Sequence, residues 1–286
     1  MTGRPPLPKI IAGVVSDVDG TLVRSDKSLS PRTVETVRAL QDAGVKFTIV
    51  SSRPPRGLKM VIERLKIVAP VSGFNGGVVA APDLSVITSH LIAADVARHT
   101  VETIVAAGAN AWVFSGEDWL VRDRNGPRIA LEQRTVGFDP TVVTNFEAGI
   151  GTAAKIVAVS DDFALLTKLQ GEVRTSLSDG ANIVRSQNYY LDFTHPLANK
   201  GQALIELTRL MAVPAACTAA IGDGENDVAM FAKAGLSVAM GNANAPVKEA
   251  TDFVTGNNDD DGAAEAIEWF VLGGKRTAID HAEAMR

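Results

Sequence analysis

The strongest constraint on the fold is a short apolar segment near the N-terminus, Ile10–Ser16, which carries no charged residue. A strand that is apolar at almost every position is typical of a parallel sheet, because helices cover both faces of such a sheet. Ser30–Pro31 is typical of a helix start, and the helical pattern that follows ends near Gly44. Val45–Val50 is predicted to be a second strand. This order of elements indicates a doubly wound α/β sheet.

The pattern changes after Pro82, where two apolar segments flank the polar turn Gly116–Asp118 and predict a hairpin. A hairpin does not belong in a purely parallel sheet, so we expect a separate inserted domain. From Lys200 onward, helices and apolar strands alternate again. The expected fold is α/β, with a doubly wound (Rossmann-like) parallel-sheet core and an inserted α+β domain. The predicted boundaries are residues 1–81 and 194–286 for the core and residues 82–193 for the insertion.

Charge and composition exclude several classes of function. The net charge of the 286 residues is -5, and no cluster of Lys and Arg is present, so nucleic acid is not expected as a partner. No segment has the length of a membrane span, and the apolar run before Asp17 is too short for a secretion signal. Cys217 is the only cysteine, so no intramolecular disulfide is expected. We expect a cytoplasmic protein that binds a small molecule, and the sequence leaves its oligomeric state open.

Two carboxylates directly follow the first predicted strand, in the segment Asp17-Val-Asp19-Gly20-Thr21. Side chains two residues apart in an extended segment point the same way, so both carboxylates leave the strand together at its carboxyl end. Ligands of open α/β sheets bind at this edge. An acidic loop with an Asx turn is the simpler alternative. Two like charges at a strand end repel each other, however, and this repulsion favours a functional role.

A second acidic segment, Gly222-Asp223-Gly224-Glu225-Asn226-Asp227, follows another predicted strand and opens a helix predicted at Asp227–Ala234. If both segments reach one edge of the sheet, several carboxylates meet there. Such a cluster favours a hard divalent cation, and Mg²⁺ suits ligation by oxygen atoms with some water retained. A calcium loop is the alternative, but the ligand spacing and closing Glu of an EF-hand are missing.

Two further features suit a phosphate group. Ser51 and Ser52 end the second predicted strand and offer hydroxyl and amide donors. Lys200 stands just before a predicted helix, where its positive charge would reach the same edge of the sheet. Taken singly, a serine pair is commonly a turn and a lysine is commonly on the surface. Their positions at strand and helix ends favour a phosphate site.

These segments, in this order, resemble the four motifs of the haloacid dehalogenase superfamily of phosphatases: DVDGT, a Ser ending the second strand, a Lys opening a later helix, and GDGEND. The insertion after Asn75-Gly76-Gly77 resembles the large cap of the Cof-type (subclass IIB) branch, so we call it the cap. The resemblance extends from Ile10 to about Leu272. The second motif departs from the usual Thr-Gly-Arg, because the chain reads Ser51-Ser52-Arg53.

The resemblance implies a role for each motif residue. Asp17 would be the nucleophile that forms an aspartyl-phosphate, and Asp19 would protonate the leaving oxygen and later activate water. An acid at Asp19 requires a raised pKa, whereas Asp17 must stay ionised. The implied Mg²⁺ ligands are Asp17, the backbone carbonyl of Asp19, Asp223 and Asp227, the last through the metal's waters or Lys200. The implied phosphate-binding residues are Gly20, Thr21, Ser51, Ser52, Lys200 and Asn226, and the implied substrate contacts are Arg53, Asn75 and Gly76.

The expected function is therefore Mg²⁺-dependent hydrolysis of small phosphate esters, such as sugar phosphates or related metabolites. A phosphomutase of the same superfamily is an alternative, since it shares the aspartyl-phosphate and differs in the acceptor. A sensor without catalysis is a second alternative, but it would need neither Asp17 nor Asp19. The sequence does not reveal the substrate or the cap residues that select it.

Overall fold

The computed structural model of the protein describes residues 10–177 and 179–273. The ends of the predicted core, residues 1–9 and 274–286, lie outside these described residues. The first part of the chain contains β1 (Gly13–Ser16), α1 (Pro31–Asp42), β2 (Lys46–Ile49), α2 (Lys59–Leu65), β3 (Val71–Gly73), β4 (Val78–Ala80) and β5 (Val86–Ser89). The middle part contains α3 (Ala94–Ala106), β6 (Asn110–Ser115), β7 (Asp118–Val121), α4 (Ile129–Val136), β8 (Thr141–Val142), α5 (Glu147–Ile150), β9 (Ala153–Val159), α6 (Phe163–Leu177), β10 (Asn182–Gln187) and β11 (Tyr190–Thr194). The last part contains α7 (Lys200–Leu210), β12 (Thr218–Gly222), α8 (Val228–Phe231), β13 (Leu236–Ala239), α9 (Ala245–Glu249), β14 (Phe253–Val254) and α10 (Gly262–Phe270).

The core is a parallel sheet of five strands in the order β14-β13-β12-β1-β2. All four residues of β1 are buried, as expected for a central strand covered on both faces. The predicted strand was too long at its start, because Ile10 is exposed and pairing begins only at Gly13. In the sheet register, Ser16 lies opposite Ile49 of β2 and Ile221 of β12. The segments that follow these three strands therefore leave the sheet at one edge.

The first helix forms as its sequence predicts. The hydroxyl of Ser30 accepts a hydrogen bond from the backbone N–H of Thr33, and Pro31 occupies the first turn. Val37 and Leu40 are fully buried against the sheet and its neighbouring helices. The apolar stripe thus buries the inner face of α1, and the prediction of this helix is confirmed.

The chain also forms a small antiparallel sheet, β3-β4-β5. A tight turn joins β3 to β4, and in it Phe74 and Asn75 both adopt positive φ angles, 53° and 58°. The strand β4 is buried but has only three residues, and β5 is largely exposed, so neither gives a clear strand signal in the sequence. This sheet connects the core to the insertion.

The inserted segment forms a six-stranded sheet in the order β10-β11-β9-β6-β7-β8, and its predicted hairpin is confirmed as β6 and β7. All its pairs are antiparallel except β7 with β8. One face packs on α3 and α6 through apolar side chains such as Ile104, Leu166 and Phe193. The α/β fold with an α+β cap is therefore confirmed. We retain residues 82 and 193 as our interpretation of where the cap begins and ends.

Candidate active site

The three motif segments converge at the carboxyl edge of the core sheet. Asp17 follows β1 directly, and its backbone N–H donates to the Ile221 carbonyl of β12 at 2.9 Å. On the other side of β1, the Val50 N–H donates to the Ser16 carbonyl at 2.9 Å, so the chain reaches Ser51 in register with Asp17. Asp223 comes one residue after the end of β12. Parallel pairing thus places acidic and hydroxyl residues from distant parts of the chain at one site.

Lys200 joins two of these carboxylates. Its ammonium donates to Asp17 Oδ1 and to Asp227 Oδ1, each at 2.6 Å, and all three side chains are buried. Burial alone would lower the pKa of Lys200, but the two carboxylates outweigh it and raise the pKa. Burial raises the pKa of Asp17, and the nearby Asp227 and Asp223 act in the same direction, whereas Lys200 opposes them. A cation at this point is needed to keep the Asp17 carboxyl ionised.

Asp19 is held in a different environment. Arg53 donates to both of its oxygens, from Nε to Oδ2 at 2.6 Å and from Nη2 to Oδ1 at 2.7 Å. The Lys27 ammonium lies 2.8 Å from Oδ1. Burial would raise the pKa of Asp19, but Arg53 and Lys27 outweigh burial and hold the pKa below its ordinary value. The raised pKa expected from the sequence is therefore wrong for this arrangement, because the sequence did not indicate that two cations meet Asp19.

Asp223 accepts hydrogen bonds from two side chains, Thr21 and Asn242, and the sequence analysis did not predict a role for Asn242. Thr21 Oγ1 donates to Asp223 Oδ1 and Asn242 Nδ2 donates to Asp223 Oδ2, each at 3.2 Å. The amide of Asn242 also donates to the Gly20 carbonyl at 2.9 Å. Burial, with Asp227 nearby, raises the pKa of Asp223 to about 6. Asn242 comes shortly after the core strand β13. Because ligands bind at the edge where parallel strands end, this position could have indicated a role for Asn242 in the site.

The carboxylates fit a hard divalent cation. One oxygen from each of Asp17, Asp223 and Asp227 lies within 4.8 Å of the others, and the Asp19 carboxylate is outside this group. Asp227 is already engaged, since Oδ1 accepts from Lys200 and Oδ2 accepts the backbone N–H groups of Asp223 and Gly224. The helix predicted at Asp227–Ala234 is shorter in the structure, because a 3₁₀ turn over Glu225–Asp227 precedes α8 and α8 already ends at Phe231. An oxygen donor set of this kind suits Mg²⁺.

The predicted phosphate-binding residues lie around these groups. Ser51 is fully buried, and its Oγ accepts the backbone N–H of Arg53 at 3.1 Å. Asn226 Nδ2 donates to Asn75 Oδ1 at 3.0 Å, which joins the loop after β12 to the turn before β4. Gly76 packs so closely on the start of α7 that a side chain there would meet the Asn199 carbonyl. These contacts bring together residues that the resemblance had grouped only by motif order.

A cavity of about 480 Å³ opens between these residues and the cap sheet. Of the predicted residues, it is lined by Asp17, Asp19, Ser52, Arg53, Asn75, Lys200, Asp223 and Asn226, whereas Gly20, Thr21, Ser51, Gly76 and Asp227 do not line it. His195 also lies apart from the lining residues and stacks on His90 at 5.4 Å between ring centroids. The opposite wall comes from the cap, including Glu132, Lys155 and Asp192.

A buried carboxylate paired with an ammonium, beside carboxylates that could hold a metal ion and under a cap, suits the hydrolysis of phosphate esters. The family profile of the haloacid dehalogenase-like hydrolases matches residues 14–267 of the chain. The chain belongs to this family, and the resemblance found in its motifs is confirmed. The protein is an enzyme of the phosphatase class. Within the described residues, none of the helices has the length and apolar character needed to cross a membrane.

Several known proteins are similar over nearly the whole chain. A putative phosphatase of Haemophilus influenzae is 28% identical over 260 residues, which cover 89% of this chain and 96% of the relative. A 5-amino-6-(5-phospho-D-ribitylamino)uracil phosphatase of Bacillus subtilis is 26% identical, with coverage of 91% and 97%. The crystal structure of a haloacid dehalogenase-like hydrolase from Bacteroides thetaiotaomicron superposes with a TM-score of 0.84 at 28% identity, covering 91% of this chain and 99% of that chain.

Proposed function

We propose that the protein is a Mg²⁺-dependent phosphatase that hydrolyses small phosphate monoesters, such as sugar phosphates or related metabolites, through an aspartyl-phosphate on Asp17. The observation that carries this proposal is the buried group of Asp17, Lys200 and Asp227, of which Asp17 and Lys200 line the cavity. The Bacillus subtilis relative supports the substrate class, because its name describes a phosphate ester of a ribityl chain.

The site must first bring a phosphate dianion close to a carboxylate. Mg²⁺ held by Asp17, Asp223 and the backbone carbonyl of Asp19 would supply positive charge between the two anions. Lys200 adds a fixed cation that is already desolvated and hydrogen-bonded to Asp17 Oδ1. A charge that is oriented before the reaction stabilises the transition state without reorganisation. Asp227 holds Lys200 in this position, and Ser51 and Ser52 offer further donors to the phosphoryl oxygens.

The chemistry then takes two steps. In the first, a carboxylate oxygen of Asp17 forms a bond to phosphorus, the bond from phosphorus to the ester oxygen breaks, and that oxygen takes a proton from Asp19. In the second, Asp19 removes a proton from water as the water oxygen bonds to phosphorus, and the bond to Asp17 breaks. Inorganic phosphate and the free carboxylate of Asp17 result. Asp19 thus ends the second step protonated, and this proton passes to solvent when Arg53 and Lys27 pair with the carboxylate again.

The ion pairs of Asp19 have a function in this cycle. In the structure without substrate, Arg53 and Lys27 keep Asp19 ionised, which suits the base of the second step. A phosphate ester that enters the cavity competes for the same two cations, since both line it. When these cations turn to the substrate, the support for the ionised form of Asp19 weakens and the acid form of the first step becomes accessible.

The experiment that tests this proposal separates the two carboxylates. Asp17→Asn should abolish turnover of every substrate, because an amide does not form the aspartyl-phosphate. Asp19→Asn should slow release of an alkyl alcohol by roughly a hundred- to ten-thousandfold. With p-nitrophenyl phosphate the leaving anion is stable, so a burst of nitrophenolate near one equivalent should precede slow turnover, with phosphate on Asp17 by mass spectrometry.

Asp83→Asn provides the control, because Asp83 is an exposed carboxylate that caps a turn away from the cavity. It should leave both rates unchanged. A variant Asp19→Asn that lost both substrates equally and gave no burst would show that Asp19 has another role. Full turnover by the wild-type protein in excess chelator would contradict the metal dependence.

A further inference from the structure

The short loop between β2 and α2, residues 54–58, supports the arginine that holds Asp19. Arg53 stands directly before this loop and donates from Nη1 to the Gly57 carbonyl at 3.3 Å. The same guanidinium makes the two hydrogen bonds to the Asp19 carboxylate. Because Arg53 is only 5% exposed, protein groups and not bulk water fix its orientation. The conformation of residues 54–58, which we call the latch loop, therefore determines where the guanidinium lies.

The middle of the latch loop packs on the cap. The Arg56 guanidinium lies over the ring of Phe138, 4.4 Å from the ring centroid, which is the geometry of a cation–π interaction. Arg56 Nη1 also donates to the Glu117 carbonyl in the turn between β6 and β7, at 3.4 Å. Gly57 lies so close to the end of α4 that a Cβ atom there would be 3.2 Å from the Val136 carbonyl oxygen. The latch loop thus joins the active-site edge of the core to two separate parts of the cap.

These contacts lie outside the cavity. Its lining includes Arg53 but not Arg56, Gly57, Val136 or Phe138. The four residues are therefore not in a position to touch a substrate that occupies the cavity, and an effect on the reaction would have to pass through Arg53. Gly57 connects the two sides, because its carbonyl accepts from the Arg53 guanidinium while its α-carbon faces the cap.

The backbone of Arg53 has a second support, and this one also rests on the cap. The Phe74 N–H donates to the Arg53 carbonyl at 2.9 Å. The Phe74 side chain is buried, and its ring packs on Phe114 of β6 with 5.6 Å between the ring centroids. The φ angle of Phe74 is 53°, which is unfavourable for a bulky residue, so burial of the ring against the cap offsets this strain. Both the carbonyl and the guanidinium of Arg53 are thus fixed by groups that pack on the cap.

We propose that Arg56 and Phe138 are positioning residues for the reaction. Their contact seats the latch loop against the cap, and the Gly57 carbonyl then holds the Arg53 guanidinium on Asp19. A charged group that is held in place before the reaction contributes more to the rate than a mobile one, so loosening this contact slows turnover without removing any group that touches the substrate. This inference rests on the proposed function, because it concerns the partner of the carboxylate that acts as acid and base.

The test measures kcat for p-nitrophenyl phosphate with Mg²⁺, in a cycle that needs Asp19 as the base of its second step. Arg56→Met and, separately, Phe138→Leu should each lower kcat by roughly three- to tenfold, and the double variant should lose no more than either alone. Arg56→Lys should restore most of the rate, because an ammonium also binds over an aromatic ring. Arg53→Met should lower kcat by at least about tenfold. In that background Arg56→Met should cost less than about 1.5-fold more, because the residue that it positions is gone.

A second variant reaches the same contact without removing a charge. Gly57→Ala should lower kcat by at least about threefold, because the added methyl group pushes the latch loop away from the Val136 carbonyl. Gly151→Ala is its matched control, since a Cβ atom at this cap position meets no atom within 4 Å, and it should leave kcat unchanged. Arg98→Met is the control for Arg56→Met, because it removes an exposed cap arginine whose ion pair with Glu147 lies elsewhere on the cap. Thermal unfolding verifies that each variant is folded.

The outcomes separate the two proposals. If Arg56→Met lowered kcat by the same factor with and without Arg53, or left the wild-type rate unchanged, the positioning role would be overturned and the phosphatase proposal would stand. No turnover of p-nitrophenyl phosphate by the wild-type enzyme with Mg²⁺ would overturn the proposed function, and the positioning role with it. A loss that occurs only when Arg53 is present, and that Arg56→Lys largely reverses, supports both.

Discussion

Replacing Lys200 by Met should affect both the stability and the activity of the protein, and the structure allows the loss of stability to be calculated. The substitution keeps a long side chain and removes the charge that lies 2.6 Å from both Asp17 Oδ1 and Asp227 Oδ1. Because Lys200 is 2% exposed, water does not replace the lost cation. Breaking a buried ion pair by removing one partner costs about 3–5 kcal/mol. For a chain of this size, that cost corresponds to a decrease in unfolding temperature on the order of 10 °C.

The variant should lose activity as well as stability. Without Lys200 the phosphoryl oxygens lose a fixed cation in the transition state, so kcat/KM should fall by about a hundredfold or more. The decrease in unfolding temperature should be smaller at pH 5 than at pH 7.5. Burial and the nearby carboxylates already raise the pKa of Asp17, so the uncompensated carboxyl would take up a proton at the lower pH.

Thermal unfolding and initial rates with p-nitrophenyl phosphate measure the two effects, and Lys168→Met is the matched control. Lys168 is exposed and lies 3.7 Å from Glu172, so its loss should change the free energy of unfolding by less than about 0.5 kcal/mol. If Lys200→Met behaved like this control in both assays, the buried group of Asp17, Lys200 and Asp227 would be refuted. A destabilised variant with normal kcat/KM would instead show that another cation binds the phosphate.

Two further predictions concern the metal site. In the metal-free protein, burial raises the pKa of Asp223 to about 6 from 3.8, so the stability that this carboxyl contributes is largest below about pH 4 and is lost as the pH rises through 6. Mg²⁺ should therefore raise the unfolding temperature more at pH 7.5 than at pH 5, and equal increases would contradict the assignment. Gly20→Ala, at a φ of +77°, should weaken Mg²⁺ binding at least about tenfold by calorimetry, because the added methyl group would clash with the Asp223 carboxylate. Gly44→Ala, at a φ of +81° in open space, should cost only about 1 kcal/mol and leave Mg²⁺ binding unchanged, and similar affinities in the two variants would refute this placement.

Much of the fold was readable from the sequence because its signals are local. The apolar run before Asp17 and the helix N-cap residue Ser30 each depend on only a few neighbouring residues. The structure has a strand at the first position and a helix at the second. The order of elements predicted a parallel sheet, and parallel pairing then requires that segments after adjacent strands share one edge. For this reason the sequence alone indicated that Asp17 and Asp223 belong to one site.

Elements without such local signals were missed. The strands β4 and β5 are short and only one of them is buried, and α4 contributes only its first and last residues, Ile129 and Val136, to the buried core. Three or four residues without a clear period do not distinguish a strand from a loop. The pairing of β4 with β3 and β5 stabilises them, and that pairing is a tertiary event.

The protonation of the carboxylates in the site depends on tertiary contacts alone. Arg53 and Lys27 meet Asp19 only because separate loops fold over the sheet edge, and they reverse the direction of its pKa shift. Lys155 and Asp192 stand 37 residues apart, in strands whose local pattern is that of an apolar core, and no spacing rule connects them. Pairing of β9 with β11 and closure of the cap over the core bring the two charges to one cavity wall. Sequence therefore determines which chemistry is available at a strand end, whereas the protonation of a carboxylate depends on charges that only the folded chain brings within a few ångströms.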